Sequence, residues 1–101
     1  MAGSKVRRVY LSGPMRGKPD LNRAAFNEAA DKLRRQGYEV FNPAAANMER
    51  WDIRKIFAYE LTWICEQADA IAMLPGHSMS YGAAAELATA RAIGLEVIPL
   101  E

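Results

Sequence analysis

A chain of 101 residues, half of them apolar, fits one small domain with a substantial core, and its small size favours oligomerisation. Thirteen basic against twelve acidic side chains leave a formal net charge of +1, so no global field recruits a nucleic-acid polymer or an anionic membrane surface. No apolar run approaches bilayer-spanning length, and Cys65, the single cysteine, leaves no internal disulfide to form; a soluble protein of the reducing cytoplasm is expected.

Met1–Ser4 carry no structural signal. Val6 to Ser12, centred on Val9-Tyr10-Leu11 and stopped by Gly13-Pro14, predicts a buried strand. Asp20 is then placed to cap a helix in which Phe26, Ala29, Ala30 and Leu33 recur at helical spacing, with Gly37 ending it after about Gln36. Tyr38 to Phe41 predicts a short second strand, broken by Asn42-Pro43. Asp52 offers the next N-cap, for a helix carrying Ile53, Ile56, Phe57, Leu61 and Ile64, and Cys65 beside Ile64 is expected to be a buried, inert thiol. Asp69 to Leu74 predicts a third strand. A helix from about Ser80 or Gly82 to Ile93 follows, closed by Gly94, and Leu95 to Leu100 forms a fourth strand.

The alternation βαβαβαβ, without repeats or a linker, predicts one α/β domain over residues 1–101. Its fold is expected to be a flavodoxin/Rossmann-like three-layer sandwich around a four-stranded parallel sheet of order 2-1-3-4. In that order the chain reverses direction between strands 1 and 3, and ligands of open α/β sheets bind at such a point, beyond the carboxyl ends of the strands. Two glycine-containing loops meet there, Ser12 to Gly17 after strand 1 and Pro75 to Gly82 after strand 3.

Glu86 follows Gly82-Ala83-Ala84-Ala85, whose small side chains let a ligand approach a helix start rich in free N–H groups. A small phosphorylated or hydroxylated ligand could meet both the donors and the carboxylate; helix-dipole stabilisation of an ordinary surface Glu is the competing account. Glu60 shares a helical stripe with Ile53, Phe57 and Ile64, which points its carboxyl inward as a general acid or base or as a group that holds a ligand hydroxyl, unless the stripe's edge carries it to solvent. Arg16, in a flexible turn, is either a phosphate or base contact or simply solvated. Ser80 can cap the third helix, donate to a phosphate, or both. His77 is the sole histidine, without Cys or a second His nearby, so no metal is expected; it either contacts ligand or serves no function. Neither a Walker loop nor a Gly-x-Gly-x-x-Gly fingerprint follows strand 1, and no cofactor is expected.

Val9-Tyr10-Leu11-Ser12-Gly13-Pro14-Met15-Arg16-Gly17, Glu60-Leu61-Thr62-Trp63, Ala68-Asp69-Ala70 and Ser80-Tyr81-Gly82-Ala83-Ala84-Ala85-Glu86 together resemble the nucleoside 2-deoxyribosyltransferase superfamily over nearly the whole chain. The likeness is closest to its short, often phage-borne branch and more distant to the 2′-deoxynucleoside 5′-phosphate N-hydrolases. The resemblance implies that Glu86, in the Ser-x-Gly-x-x-x-Glu motif, attacks the anomeric carbon of a deoxyribose and expels the base, with water or a second base resolving the glycosyl-enzyme. It further implies that Tyr10 positions the nucleophile, that Ser80 and the following amides of Gly82 and Ala83 hold phosphate, and that Gly13, Met15 and Arg16 line the nucleotide pocket.

Departures from the superfamily pattern are Glu60 in place of the usual aspartate, His77 in place of Trp and Tyr81 in place of Arg. Active relatives also continue past the last strand into a neighbouring subunit's site. The leading expectation is an enzyme cleaving or transferring the N-glycosidic bond of a deoxynucleoside or its 5′-monophosphate, working as a homo-oligomer on a small-molecule nucleoside or nucleotide. The alternative is a binding module that senses or sequesters a nucleotide in the same pocket.

Overall fold

The computed structural model describes residues 6–101; Met1–Ser4, which carry no sequence signal, lie outside them. Four strands, β1 (Arg8–Ser12), β2 (Glu39–Phe41), β3 (Ala70–Met73) and β4 (Glu96–Pro99), alternate with three helices, α1 (Arg23–Arg35), α2 (Ile53–Gln67) and α3 (Tyr81–Ala92). The sheet is wholly parallel, in the order β2-β1-β3-β4 expected from the sequence. The fold is therefore an α/β sandwich of the flavodoxin/Rossmann-like kind, with its direction change between β1 and β3.

Side-chain alternation along the two central strands divides the interior into two cores. Val9 and Leu11 of β1, with Ala70 and Ala72 of β3, face Phe26, Ala29, Ala30 and Leu33 of α1. The apolar positions of α1 recur at three- and four-residue intervals, and they become its buried stripe. Tyr10 of β1 and Ile71 and Met73 of β3 face the opposite way, toward Ile64 of α2 and Ala83 and Ala90 of α3. Burying these side chains supplies the main driving force, at roughly 1.5–3 kcal/mol for each fully buried large aliphatic or aromatic group. Tyr10 and Ser12, two residues apart on the central strand, are carried to the α2/α3 face together and are fully buried there.

Helix ends follow local chemistry. Gly37 (φ 99°) and Gly94 (φ 81°) take up the left-handed conformation that terminates α1 and α3, at little steric cost for a residue without Cβ. Asp52 caps α2 by accepting from the Arg54 N–H at 3.4 Å. Asp20 does not cap α1 as expected. Asp20, Leu21 and Asn22 all have positive φ (48°, 55° and 60°), and α1 begins only at Arg23. Asp20 pairs instead with Arg23 at 3.4 Å, while the Asn22 amide donates to the Pro14 carbonyl at 2.9 Å and ties down the loop after β1. Cys65 is also a correction: it is exposed, because one residue beyond the buried Ile64 is a turn of about 100° around the helix.

Gly13, directly after β1, has a packing role that fixes that loop. A Cβ added there would stand 2.7 Å from Leu74 Cβ and 3.0 Å from its Cδ1. Gly13→Ala is expected to destabilise the fold by about 1–3 kcal/mol, since one of the clashing atoms is a Cβ that no rotamer change can move. Chemical denaturation measures this, and an unchanged midpoint would show that the backbone yields freely here.

Candidate active site

A cleft of about 580 Å³ opens at the carboxyl edge of the sheet, beside the β1/β3 boundary. The loops after β1 and β3 form two of its walls, and Ile53, Ile56, Phe57 and Glu60 of α2 face it from a third side. Of the residues singled out from the sequence, Tyr10, Gly13, Met15, Arg16, Glu60, Ser80, Gly82, Ala83 and Glu86 all line this cleft. His77 does not; it sits half-buried in the short 3-10 turn His77–Met79 that precedes α3, outside the lining.

Two carboxyl groups lie at the bottom of the cleft. Glu86, from the second turn of α3, is only 7% exposed, and Glu60, on the inward face of α2, only 6%. The solvent-edge alternative for Glu60 and the surface alternative for Glu86 are both excluded by that burial. Buried acids require hydrogen-bond partners, and Glu86 has them on both oxygens. The Tyr10 hydroxyl donates to Oε2 at 2.9 Å, and the Ser12 hydroxyl donates to Oε1 at 2.7 Å. Glu60 lines the same cleft as Glu86 and Tyr10 and interacts electrostatically with both.

The electrostatics follow from this packing. Burial, then the hydrogen bond and charge of Glu86, push the Glu60 carboxyl up to about 8, against smaller opposing effects of the Tyr10 hydroxyl and the Arg16 charge. Burial also raises Glu86, but hydrogen bonds from Glu60, Ser12 and Tyr10 favour its ionised form. Burial and the two neighbouring carboxylates hold the Tyr10 phenol well above its ordinary range, so it remains a donor. The donors that converge on Glu86 favour its ionised form over that of Glu60, so of the two interacting carboxyls Glu60 is the one that more readily keeps a proton.

At the start of α3, Ser80 Oγ accepts from the Ala83 N–H at 3.1 Å, and the Ser80 carbonyl accepts from the Ala84 N–H at 2.9 Å. Ala83 therefore lines the cleft with its amide already engaged. The Tyr81 and Gly82 N–H groups remain for an anion, joined by the Ser80 hydroxyl proton. A methyl at Gly82 would stand 3.5 Å from Phe57 Cζ, an ordinary contact, so the missing side chain opens space there without being sterically required.

Ser12 is the polar residue that sequence reasoning passed over. Its signal was its offset of two from Tyr10, which places both hydroxyls on one face of one strand. Among the described residues, no group of three or more His, Cys, Asp and Glu is arranged to hold a metal ion, and no helix is long and apolar enough to cross a membrane.

The arrangement can supply a carboxylate nucleophile, a neutral carboxylic acid beside it and an anion-binding helix start, all facing one cleft. A search of curated proteins finds no match for this chain. The model of the family described as "Domain of unknown function (DUF4406)" matches residues 7–99, and the chain belongs to that family.

Proposed function

We propose that this protein cleaves or transfers the N-glycosidic bond of a deoxynucleoside or deoxynucleoside 5′-monophosphate, with Glu86 as the nucleophile. The observation that carries the reading is a buried Glu86, held by the Tyr10 and Ser12 hydroxyls, beside a buried Glu60 whose carboxyl is pushed up to about 8, both at the bottom of one cleft. Two adjacent acids held in different protonation states form the acid and nucleophile that two-step glycosidic chemistry needs.

In this reading the 5′-phosphate meets the Tyr81 and Gly82 N–H groups and the Ser80 hydroxyl, and Arg16 adds positive charge at the rim. The sugar then lies over Glu86. Its carboxylate bonds to the anomeric carbon as the carbon–nitrogen bond breaks, and the departing base takes the electron pair and the Glu60 proton. Glu60, now ionised, accepts a proton from the water or second base that resolves the intermediate. The apolar side of the cleft, including Met48, Ile53 and Ile56, suits the face of a nucleobase.

The same proposal places the protein in the cytoplasm, where its one cysteine stays reduced, and makes it a homo-oligomer that covers the open sheet edges at β2 and β4. Its partner is a small molecule, because a net charge of +1 gives no general attraction for nucleic-acid polymers.

Incubation with a panel of deoxynucleosides and their monophosphates, followed by chromatography for free base, tests the reading. Base release is expected from the wild-type chain and not from Glu86→Ala. Equal release from both, or none from either, removes the enzymatic assignment. Mass spectrometry of the purified protein separates the alternative, since an intact bound nucleotide without a sugar adduct on Glu86 identifies a binding module.

A further inference from the structure

The two oxygens of Glu86 are not equivalent. Oε2 is held by Tyr10, which lines the cleft alongside Glu60, whereas Oε1 is held by Ser12, which is fully buried and does not line the cleft. Ser12 is carried there at the last position of β1, in register with Met73 of β3, and its carbonyl accepts from the Leu74 N–H at 2.8 Å, so its backbone is held from the β3 side. A polar side chain buried this deeply is costly unless partnered, and the Ser12 hydroxyl is partnered by Glu86. Packing alone does not call for a hydroxyl at that position.

We propose that Ser12 is a positioning residue that anchors Glu86 Oε1 beneath the cleft, so that Oε2 is the atom that bonds to the anomeric carbon. The inference rests on the glycosidic reading of the cleft. As the Oε2–C1′ bond forms, the C1′–N bond breaks, its electron pair leaves on the base nitrogen, and the base takes the Glu60 proton. Oε1 becomes the carbonyl oxygen of the resulting ester and keeps its hydrogen bond from Ser12. Water then adds at C1′, returns a proton to Glu60, and the Oε2–C1′ bond breaks, restoring the carboxylate. Ser12 never touches the sugar; it fixes which lone pair faces it. A carboxylate free to rotate about its last bond would lose part of that alignment.

The charged and titratable groups facing Glu86 are Tyr10 from β1 and Glu60 from α2, with Arg16 of the loop after β1 acting on Glu60. Removing the Ser12 hydroxyl therefore subtracts one donor from the ionised form and leaves the other influences in place. In Ser12→Ala, kcat is expected to fall on the order of tenfold to a hundredfold with KM unchanged. The acidic limb of the pH–rate profile moves to higher pH, and Ser12→Thr, which retains the hydroxyl, recovers most of the rate. Carbon-13 NMR of the Glu86 carboxyl gives the same shift without substrate. The structure of an adduct trapped with a 2′-fluoro-substituted nucleotide shows the sugar on the oxygen beside Tyr10. An active Ser12→Ala with unchanged kcat and unchanged Glu86 titration, or a sugar on the oxygen beside Ser12, overturns the proposal alone. A wild-type protein that releases no base overturns the reading beneath it, while the NMR titration still measures the coupling of Ser12 to Glu86.

Discussion

If the proposed glycosidic reading holds, Glu86→Gln is expected to abolish turnover, and on packing grounds to make the protein more stable. The loss of activity follows directly from the chemistry, since an amide oxygen is a poor nucleophile and the glycosyl ester cannot form; a fall of roughly 10³-fold or more is expected. The gain in stability follows from burial. Glu86 is nearly inaccessible, and both it and Glu60 bind protons more tightly in the folded chain than in the unfolded one. An acid whose folded pKa is raised stabilises the fold fully below the unfolded value, and that contribution is lost as pH rises through the folded value. At pH 8 the wild-type fold therefore holds a charge that burial disfavours. The substituted amide keeps the shape and removes the charge; its carbonyl accepts from Ser12, and its nitrogen donates to the Tyr10 oxygen once that hydroxyl proton turns away. A gain of about 1–2 kcal/mol at pH 8, read as several degrees in Tm, is expected. The gain should shrink toward pH 4.5, where the wild-type carboxyls are protonated. A variant less stable than wild type at pH 8 would show that the carboxylate is favourable in its site and would remove the argument that activity is maintained against stability.

Much of the fold was legible because its signals are local and repeat. The spacing of Phe26, Ala29, Ala30 and Leu33 defines one helix face, Gly37 and Gly94 mark two helix ends, and the βα alternation leaves few sheet orders. Glu60 was legible for the same reason: the stripe that buries Ile64 also buries the acid four residues before it. What escaped depended on turn geometry, helix phase and one distant partner. The Asn22 amide is drawn to the Pro14 carbonyl, and the intervening turn becomes left-handed, so Asp20 cannot serve as the cap its composition suggests. Cys65 was placed by adjacency to Ile64 and not by helix phase, which turns it to solvent. His77 lies in the right loop, but that loop winds into a 3-10 turn and leaves the side chain outside the cleft lining. Ser12 was hidden within an apolar strand, where attention falls on the hydrophobic positions. Ser12 owes its role to a partner 74 residues away, whereas Cys65 is a matter of helix phase alone.

On the proposed reading, the pH dependence of base release is expected to isolate Glu60. With its carboxyl pushed up to about 8 by burial and by Glu86, it carries a proton at neutrality and loses it above that value. If that proton goes to the leaving base, kcat/KM should fall about tenfold per pH unit above roughly 8, whereas an unperturbed glutamate would be deprotonated from about pH 4.3 upward. Glu60→Gln preserves neutrality but cannot give up a proton in the same way. It should lower kcat by about 10²–10⁴-fold and erase the alkaline limb together with the activity, while substrates whose base leaves without protonation lose far less. Glu60→Asp tests reach instead of chemistry, since the side chain must span from α2 to Glu86 and Tyr10, and shortening it by one methylene withdraws the carboxyl from both. A misplacement of about 1 Å costs on the order of a hundredfold in rate, so the aspartate typical of the resembling superfamily is expected to work poorly here, despite being the closer chemical match. Stability gives an independent check with the opposite preference. Because the raised acid loses its stabilising contribution between about pH 4.5 and 8, Glu60→Gln should exceed wild type in Tm at pH 8 and converge with it in acid. An alkaline limb retained in Glu60→Gln would assign the titration to another group and remove Glu60 as the acid. A limb that disappears while activity with self-leaving substrates survives identifies the Glu60 proton as the one transferred to the base.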